Sequence, residues 1–399
     1  MSDSRNGQYQ PSENGPVAKP GAHEHELNAP LASVASLEVW HLLHHLLNVE
    51  GSDLHFTVDS PILNRIHGDL VPVLFQGKRL QATPQDSQRI LRAILSEDQK
   101  QRLDDELDID FAYAHPQLSA RFRCNYYHAS GKLEAVFRQI PNEIKTLDEL
   151  MMPDVLRSLC DLPRGLVLVV GPTGSGKSTT LAAMIDYINT RRQSKIITIE
   201  DPVEFVHQPK RCGISQREVH LDVQSFSRGV RAALREDPDV VLVGEMRDTD
   251  TVREGVRAAD TGHLVFATLH TNNASETVDR LINQFPGEER DDIRSKMALI
   301  LQGVVSQKLV KTKDGRGRRA ALEVMTSTDS VRSLIRDGES QQLYSEIMTG
   351  SQFGMQTLEQ SLAALIVDGV VERKAASEQT PKLDQLDRAI TDIMRRKNG

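Results

Sequence analysis

The stretch "GLVLVVGPTGSGKSTTLAAMIDYIN" occupies Gly165–Asn189. Its short apolar run, "LVLVV", suits a central parallel strand buried on both faces. A glycine-rich turn follows, and "STTLAAMIDYIN" then reads as a helix. Strand, "GPTGSGKST" and helix in this order match GxxxxGK[ST] in the setting the motif needs. A chance match in a chain of this length has a probability on the order of one per cent. The glycines let the backbone wrap closely round phosphate oxygens. The amides of Gly174 to Ser178 can point inward, and the helix N-terminus adds favourable partial charge. Lys177 would reach the β- and γ-phosphates, and the Ser178 hydroxyl would ligate Mg²⁺. Gly171, Pro172, Thr173, Gly174, Ser175, Gly176, Lys177, Ser178 and Thr179 are therefore the expected site for ATP with Mg²⁺.

Three later segments share the apolar character: "SKIITIE", "PDVVLVGE" and "GHLVFATLH". Helical stretches separate them, so the pattern is that of a doubly wound α/β sheet. The carboxyl ends of such strands line one crevice. "PDVVLVGEMRD" (Pro238–Asp248) delivers Glu245 there, a Walker-B-like acid that would hold Mg²⁺ directly or through water. "ITIEDPVEF" (Ile197–Phe205) delivers Glu200, Asp201 and Glu204. One of these can orient and deprotonate the attacking water, and spacing alone leaves open which. His270 ends the third strand. An imidazole there can hydrogen-bond a γ-phosphate, whereas a zinc role lacks cysteine or histidine partners.

The 399 residues are 39% hydrophobic and 26% charged, with a net charge of −8. That is an ordinary globular composition with length for two or three domains. The negative charge gives no field to attract nucleic acid, which is not expected as a partner. Cys124, Cys160 and Cys212 are scattered and odd in number. They fit a reducing cytoplasm rather than a disulfide framework. No run approaches the roughly 18 apolar residues of a membrane span. Residues 1–35 read as a disordered tail in which His23 and His25 are solvated. "SLEVWHLLHHLL" opens an amphipathic helix with Leu37, Trp40, Leu43 and Leu47 on one face and His41, His44 and His45 at polar positions. Alternating strands and the helix "TPQDSQRILRAIL" complete an α/β domain over 36–140. "PNEIKTLDELMMP" reads as a linker.

With "QREVH", the four motifs resemble the secretion ATPase superfamily, and within it the PilT and PilU type of type IV pilus retraction motor. The likeness runs from "GSDLHF" to "GMQTLEQSL" (Gly51–Leu362), with the motifs in order. It implies a PAS-like N-terminal domain (36–140), a linker (141–152) and a RecA-like P-loop ATPase core (153–310). A helical C-terminal region (311–373) and a charged tail (374–399) follow. It implies Glu204 as the acid that activates water, with Glu245 and His270 closing the Walker B and His boxes. Arg123 and Arg138, with Arg121 beside them, match the arginines that act on nucleotide from the N-terminal domain. The implied function is an ATP-hydrolysing hexameric motor for pilus retraction and twitching motility. It would work at the cytoplasmic face of the inner membrane, on a platform protein there, with a paralogous retraction ATPase as a further partner. Lack of a CxxC pair favours this branch over extension motors and type II secretion ATPases, which carry a four-cysteine zinc element. "VRSLIRD" (Val331–Asp337) resembles the AIRNLIRE motif of retraction motors but departs at several positions, and "FATLH" stands where "FGTLH" is commoner. A principal motor, an accessory PilU-like ATPase and a VirB11-like type IV secretion or DNA-transfer ATPase all remain open at this point.

Overall fold

A computed structural model describes residues 29–398, apart from 67, 119, 141 and 142. His23 and His25 lie outside the described residues. The chain divides into two units, 1–140 and 141–399.

The first unit opens with β1 (Leu31–Ser33) and α1 (Val39–Asn48). Strands β2 (Asp53–Phe56), β3 (Leu63–Ile66), β4 (Asp69–Pro72), β5 (Leu74–Phe75) and β6 (Lys78–Gln81) follow, then α2 (Pro84–Arg92) and α3 (Glu97–Glu106). Strands β7 (Asp108–Ala114), β8 (Arg121–Ala129) and β9 (Lys132–Ile140) close it. The main sheet runs β4-β3-β2-β9-β8-β7 and is antiparallel throughout. A second sheet runs β1-β6-β5. Residues 31–33 are thus not disordered, because β1 pairs in parallel with β6 and Val34 beyond it is buried. Three residues held by backbone bonds carry no side-chain periodicity for a sequence to display. Helix α1 buries Val39, Leu42, Leu43 and Leu46, one position round from the stripe expected through Trp40. His41 takes part in the N-terminal cap, where its Nδ1 accepts the Glu38 amide at 3.1 Å. α2 starts as its Thr-Pro signal demands, with Thr83 capping Asp86 and Pro84 in the first turn. On β8, alternation puts Phe122, Cys124 and Tyr126 into the core and Arg121 and Arg123 on the other face.

The second unit begins with α4 (Val155–Cys160), β10 (Gly165–Val170), α5 (Lys177–Arg191), β11 (Lys195–Glu200) and β12 (Gly213–Glu218). Next come α6 (Phe226–Ala233), β13 (Val240–Val243), α7 (Thr249–Asp260), β14 (Leu264–Leu269), α8 (Ala274–Asn283) and α9 (Arg290–Ile300). The sheet ends with β15 (Leu301–Lys311) and β16 (Arg318–Thr326). Its order is β12-β11-β13-β14-β10-β15-β16, parallel except for β16. Strand β10 sends Leu166, Leu168 and Val170 to the core under α6–α9, and Val167 and Val169 to the core under α4 and α5. This is why its sequence is apolar at every position.

The core is larger than 153–310 on both sides. Leu147, Leu150 and Met152 of the expected linker pack against α4 and β10. The chain after Leu309 does not turn helical at once, because β16 returns along β15 after a turn at Gly315, whose φ is 70°. Basic residues at the start of β16 disguise a strand whose inner half, Ala321 to Met325, is fully buried. Helices α10 (Asp329–Asp337), α11 (Leu343–Thr349), α12 (Leu358–Val367), α13 (Arg373–Ser377) and α14 (Leu383–Asn398) complete the chain. The expected charged tail is mostly α14, whose Leu386, Ala389, Ile390 and Ile393 pack against α12 and β15. Those four residues keep helical spacing inside a strongly charged segment, so composition hid the pattern.

Candidate nucleotide site

The sheet order places the motif-bearing strands side by side as β10-β14-β13-β11. Register then fixes heights: Val170 pairs with Leu269, and Val243 with both Ala267 and Ile199. The residues that follow these strands, from Gly171, His270, Gly244 and Glu200, leave the sheet at one edge.

The loop after β10 has Gly171, Gly174 and Gly176 at φ of 143°, 77° and 88°. Such values favour glycine. Lys177, the first residue of α5, is buried. Its Nζ donates to the carbonyls of Gly171 at 2.8 Å and Pro172 at 3.2 Å, and stands 3.4 Å from His270 Nδ1. An ammonium only donates, so Nδ1 accepts and Nε2 carries the ring proton. Nε2 in turn meets Glu245 Oε1 at 3.1 Å, and Arg247 Nε meets the same oxygen at 2.7 Å. A string of side chains, Lys177–His270–Glu245–Arg247, thus spans three strand ends. Burial lowers the Lys177 pKa, and the negative charges of Glu245 and Glu204 oppose that shift. Burial pushes the Glu245 carboxyl up, but the hydrogen bond and charge of Arg247, with His270, outweigh it and the net shift is downward. Lys177 forms no ion pair with a carboxylate among the described residues. A buried cation held only by carbonyls and an imidazole is suited to an incoming anion.

The three acids after β11 separate. Glu200 accepts Thr198 Oγ1 at 2.6 Å and Gln216 Nε2 at 3.1 Å, and burial raises its pKa. It is tied into the sheet. Asp201 is exposed, and its charge acts on Arg247. Glu204 is half-buried, and its charge acts on Lys177. Its loop is pinned by Glu218, whose carboxylate accepts the Val203 amide at 3.2 Å.

Motif reading passed over several supporting residues. Gln307 on β15 is buried. It donates to Ser175 O at 2.7 Å and accepts from Thr180 Oγ1 at 2.7 Å. Its signal in the sequence is the polar pair "SQ" inside the apolar run "GVVSQKLV". Thr268 Oγ1 donates to Gly244 O at 2.5 Å and so ties β14 to the turn that carries Glu245. Arg247 lies within the quoted "GEMRD", where the motif singles out only Glu245. Beside the loop opens a groove of about 760 Å³, lined by Thr179, Thr180 and Phe205 and by the basic Lys145, Lys311 and Arg316. That volume matches a nucleotide-sized ligand.

Arg123 and Arg138 belong to the first unit. They face each other across β8 and β9 in register. Like charges in that position repel, and each is held by an acid of an outer neighbour strand. Arg123 meets Asp110 at 3.3 Å, and Arg138 meets the buried Asp53 at 2.7 Å. The Arg138 side chain stays largely exposed, and that of Arg123 is part-buried.

The chain is similar to several known proteins. The family described as "Type II/IV secretion system protein" matches residues 41–378. The type IV pilus retraction ATPase PilT of Pseudomonas aeruginosa is 45% identical over 346 residues, covering 86% of this chain and 98% of that protein. The type IV pilus ATPase PilU of the same organism is 37% identical over 335 residues, 84% of this chain and 86% of its own. A crystal structure of the pilus retraction motor PilT with bound ADP superposes with a TM-score of 0.81 at 39% identity, covering 88% of this chain and 99% of that one.

Proposed function

The chain belongs to the type II/IV secretion system protein family and is an ATPase of the PilT type, and we propose that it is a Mg²⁺-dependent hexameric motor for type IV pilus retraction. The observation that carries this reading is the side-chain string Lys177–His270–Glu245 across three adjacent strand ends, directly over the phosphate loop. ATP places its phosphates in the loop Gly171–Thr179 and its nucleoside in the adjoining basic groove. Lys177 leaves the loop carbonyls for the β- and γ-phosphates. His270, released by Lys177, donates from Nδ1 to the γ-phosphate once that nitrogen carries a proton. Glu204, half-buried and within the field of Lys177, orients the attacking water and takes its proton. Glu200 is the poorer candidate, since Thr198 and Gln216 both bond its Oε1 and tie it into the sheet.

The donors fit a hard divalent cation: the Ser178 hydroxyl in the first turn of α5 and the Glu245 carboxylate are both oxygen ligands. When bound, Mg²⁺ would neutralise charge on the β- and γ-phosphates. Arg123 and Arg138 supply guanidinium charge to the transferring phosphoryl group in the assembled ring. No helix among the described residues is long and apolar enough to cross a membrane. In this reading, force reaches the pilus through a platform protein at the cytoplasmic face of the inner membrane.

The test is ATP turnover by the purified full chain with and without Mg²⁺, alongside two variants. Lys177→Ala is expected to abolish turnover, and Glu204→Ala to keep ATP binding and lose hydrolysis. Normal turnover in Glu204→Ala refutes the assignment of the base. In cells, loss of the gene is expected to raise pilus number and abolish twitching. A second reading, an accessory ATPase, draws on the PilU likeness and on the departures in "VRSLIRD". Unchanged pili and motility would select it.

A further inference from the structure

Gln307 reaches the phosphate loop and the helix behind it with both ends of its side-chain amide. Its side-chain amide donates to Ser175 O, and its side-chain carbonyl accepts the Thr180 hydroxyl, each at 2.7 Å. A methyl group on Gly176 would stand 2.8 Å from Gln307 Nε2, and one on Gly171 would stand 2.4 Å from the Gln307 backbone oxygen. The carbonyl and N–H of a trans peptide point in opposite directions. Drawing Ser175 O outward therefore turns the Gly176 N–H inward, toward the hollow of the loop. The preceding residue works on the other face of the same strand. Ser306 Oγ donates to Asn272 O at 2.7 Å, in the loop that follows His270.

We propose that Gln307 is a positioning residue for the bound nucleotide: it sets the Ser175–Gly176 peptide so that the Gly176 N–H meets phosphate, from a strand that also braces the loop after His270. This rests on the nucleotide reading of the loop. It goes beyond that reading in placing a determinant of phosphate affinity on β15, outside the four motifs. Gln307 touches no phosphate itself. The Ser306–Gln307 step fixes the spacing between two loops that address the same ligand.

The experiment is ADP affinity of the full chain by titration calorimetry, at about pH 8 and about pH 6, for wild type, Gln307→Leu, Gln307→Glu, Thr180→Val and Lys177→Ala. Gln307→Leu keeps volume and loses both hydrogen bonds, and is expected to weaken ADP by about 10- to 100-fold. Thr180→Val loosens one anchor only, and about 3- to 10-fold is expected. Gln307→Glu is the discriminating variant, and it decides the matter if Gln307→Leu does not fold. Its ionised carboxylate still accepts from Thr180 but cannot donate to Ser175 O. Protonated, it regains a donor in the same place. Position 307 is buried, and burial raises a carboxyl, so the ratio of its Kd to that of wild type in the same buffer should be large at the higher pH and fall at the lower. A filler of space would show no such recovery. Wild-type affinity in the Gln307 variants, or a Gln307→Glu defect equal at both pH values, overturns the proposal. Wild-type ADP binding that Lys177→Ala leaves intact would instead overturn the nucleotide reading, and this inference with it.

Discussion

Replacing the three loop glycines by alanine, one at a time, separates backbone strain from lack of room. All three have positive φ, so each alanine costs about 1–2 kcal/mol for the backbone alone. At Gly174 nothing lies within 4 Å of the added carbon, so that cost stands alone. In a unit of this size it corresponds to a fall of about 2–8 °C in unfolding midpoint. At Gly176 the added carbon would lie 2.8 Å from Gln307 Nε2, the far end of a side chain. That end can rotate away, at the cost of its bond to Ser175 O, which adds about 1–3 kcal/mol. At Gly171 the carbon would lie 2.4 Å from the Gln307 backbone oxygen. Strand β15 is paired on both sides there, with Val170 opposite Ser306 and Leu322 opposite Gln307. It cannot retreat without breaking a ladder, and overpacking adds about 1–3 kcal/mol or more. The expected order of damage is Gly174, then Gly176, then Gly171. Thermal unfolding of the full chain at one scan rate, with and without ADP, measures it. Gly176→Ala should also lose most of the ADP-induced rise in midpoint. A Gly171→Ala chain as stable as Gly174→Ala would refute the reasoning.

Three further outcomes follow from other parts of the molecule. Burial pushes His207 down from 6.5 to about 4. The unfolded chain therefore binds a proton there that the folded chain refuses, and stability falls as pH drops from 6.5 toward 4, by on the order of 3 kcal/mol. His207→Gln should flatten that slope in urea midpoints taken across the same range; an unchanged slope would clear His207 of the effect. Ile390→Asp puts a charge on the inner face of α14, and should free the helix to proteolysis and lower the unfolding midpoint, whereas Asp392→Ala on the same helix should do neither. Asp53→Asn removes the charge that holds Arg138, and full-length ATPase assays should show a changed kcat with ADP affinity within about threefold, a shift of less than 1 kcal/mol.

The phosphate loop, the strand ends at Glu245 and His270 and the parallel sheet were legible in the sequence because each combines an apolar run with a chemically odd end. Apolar runs buried on both faces leave one reading. The proposed preference for Glu204 over Glu200 is not legible there, since it rests on Thr198 and Gln216 bonding Glu200 from the same and the next strand. Gln307 was hidden for a similar reason: its partners lie about 130 positions away, as the separation to Ser175 of 132 shows. Strand β16 and helix α14 were misread through composition. Their charged residues dominate the count, while the few apolar ones that decide packing, such as Leu322 and Ile390, keep strict spacing. Strand β1 is three residues of backbone pairing and has no side-chain signature.

The contacts of Lys177 make phosphate binding an exchange rather than an addition. The ammonium is solvated from within, by two carbonyls and an imidazole, and Glu245 is paired with Arg247 and hydrogen-bonded by His270. A phosphate gains only the difference between its own contacts and those it displaces, and on leaving it returns the loop to a satisfied state instead of a bare buried charge. Product release is thereby never opposed by an orphaned cation. Such reversibility favours repeated turnover, and a lower affinity is its thermodynamic counterpart.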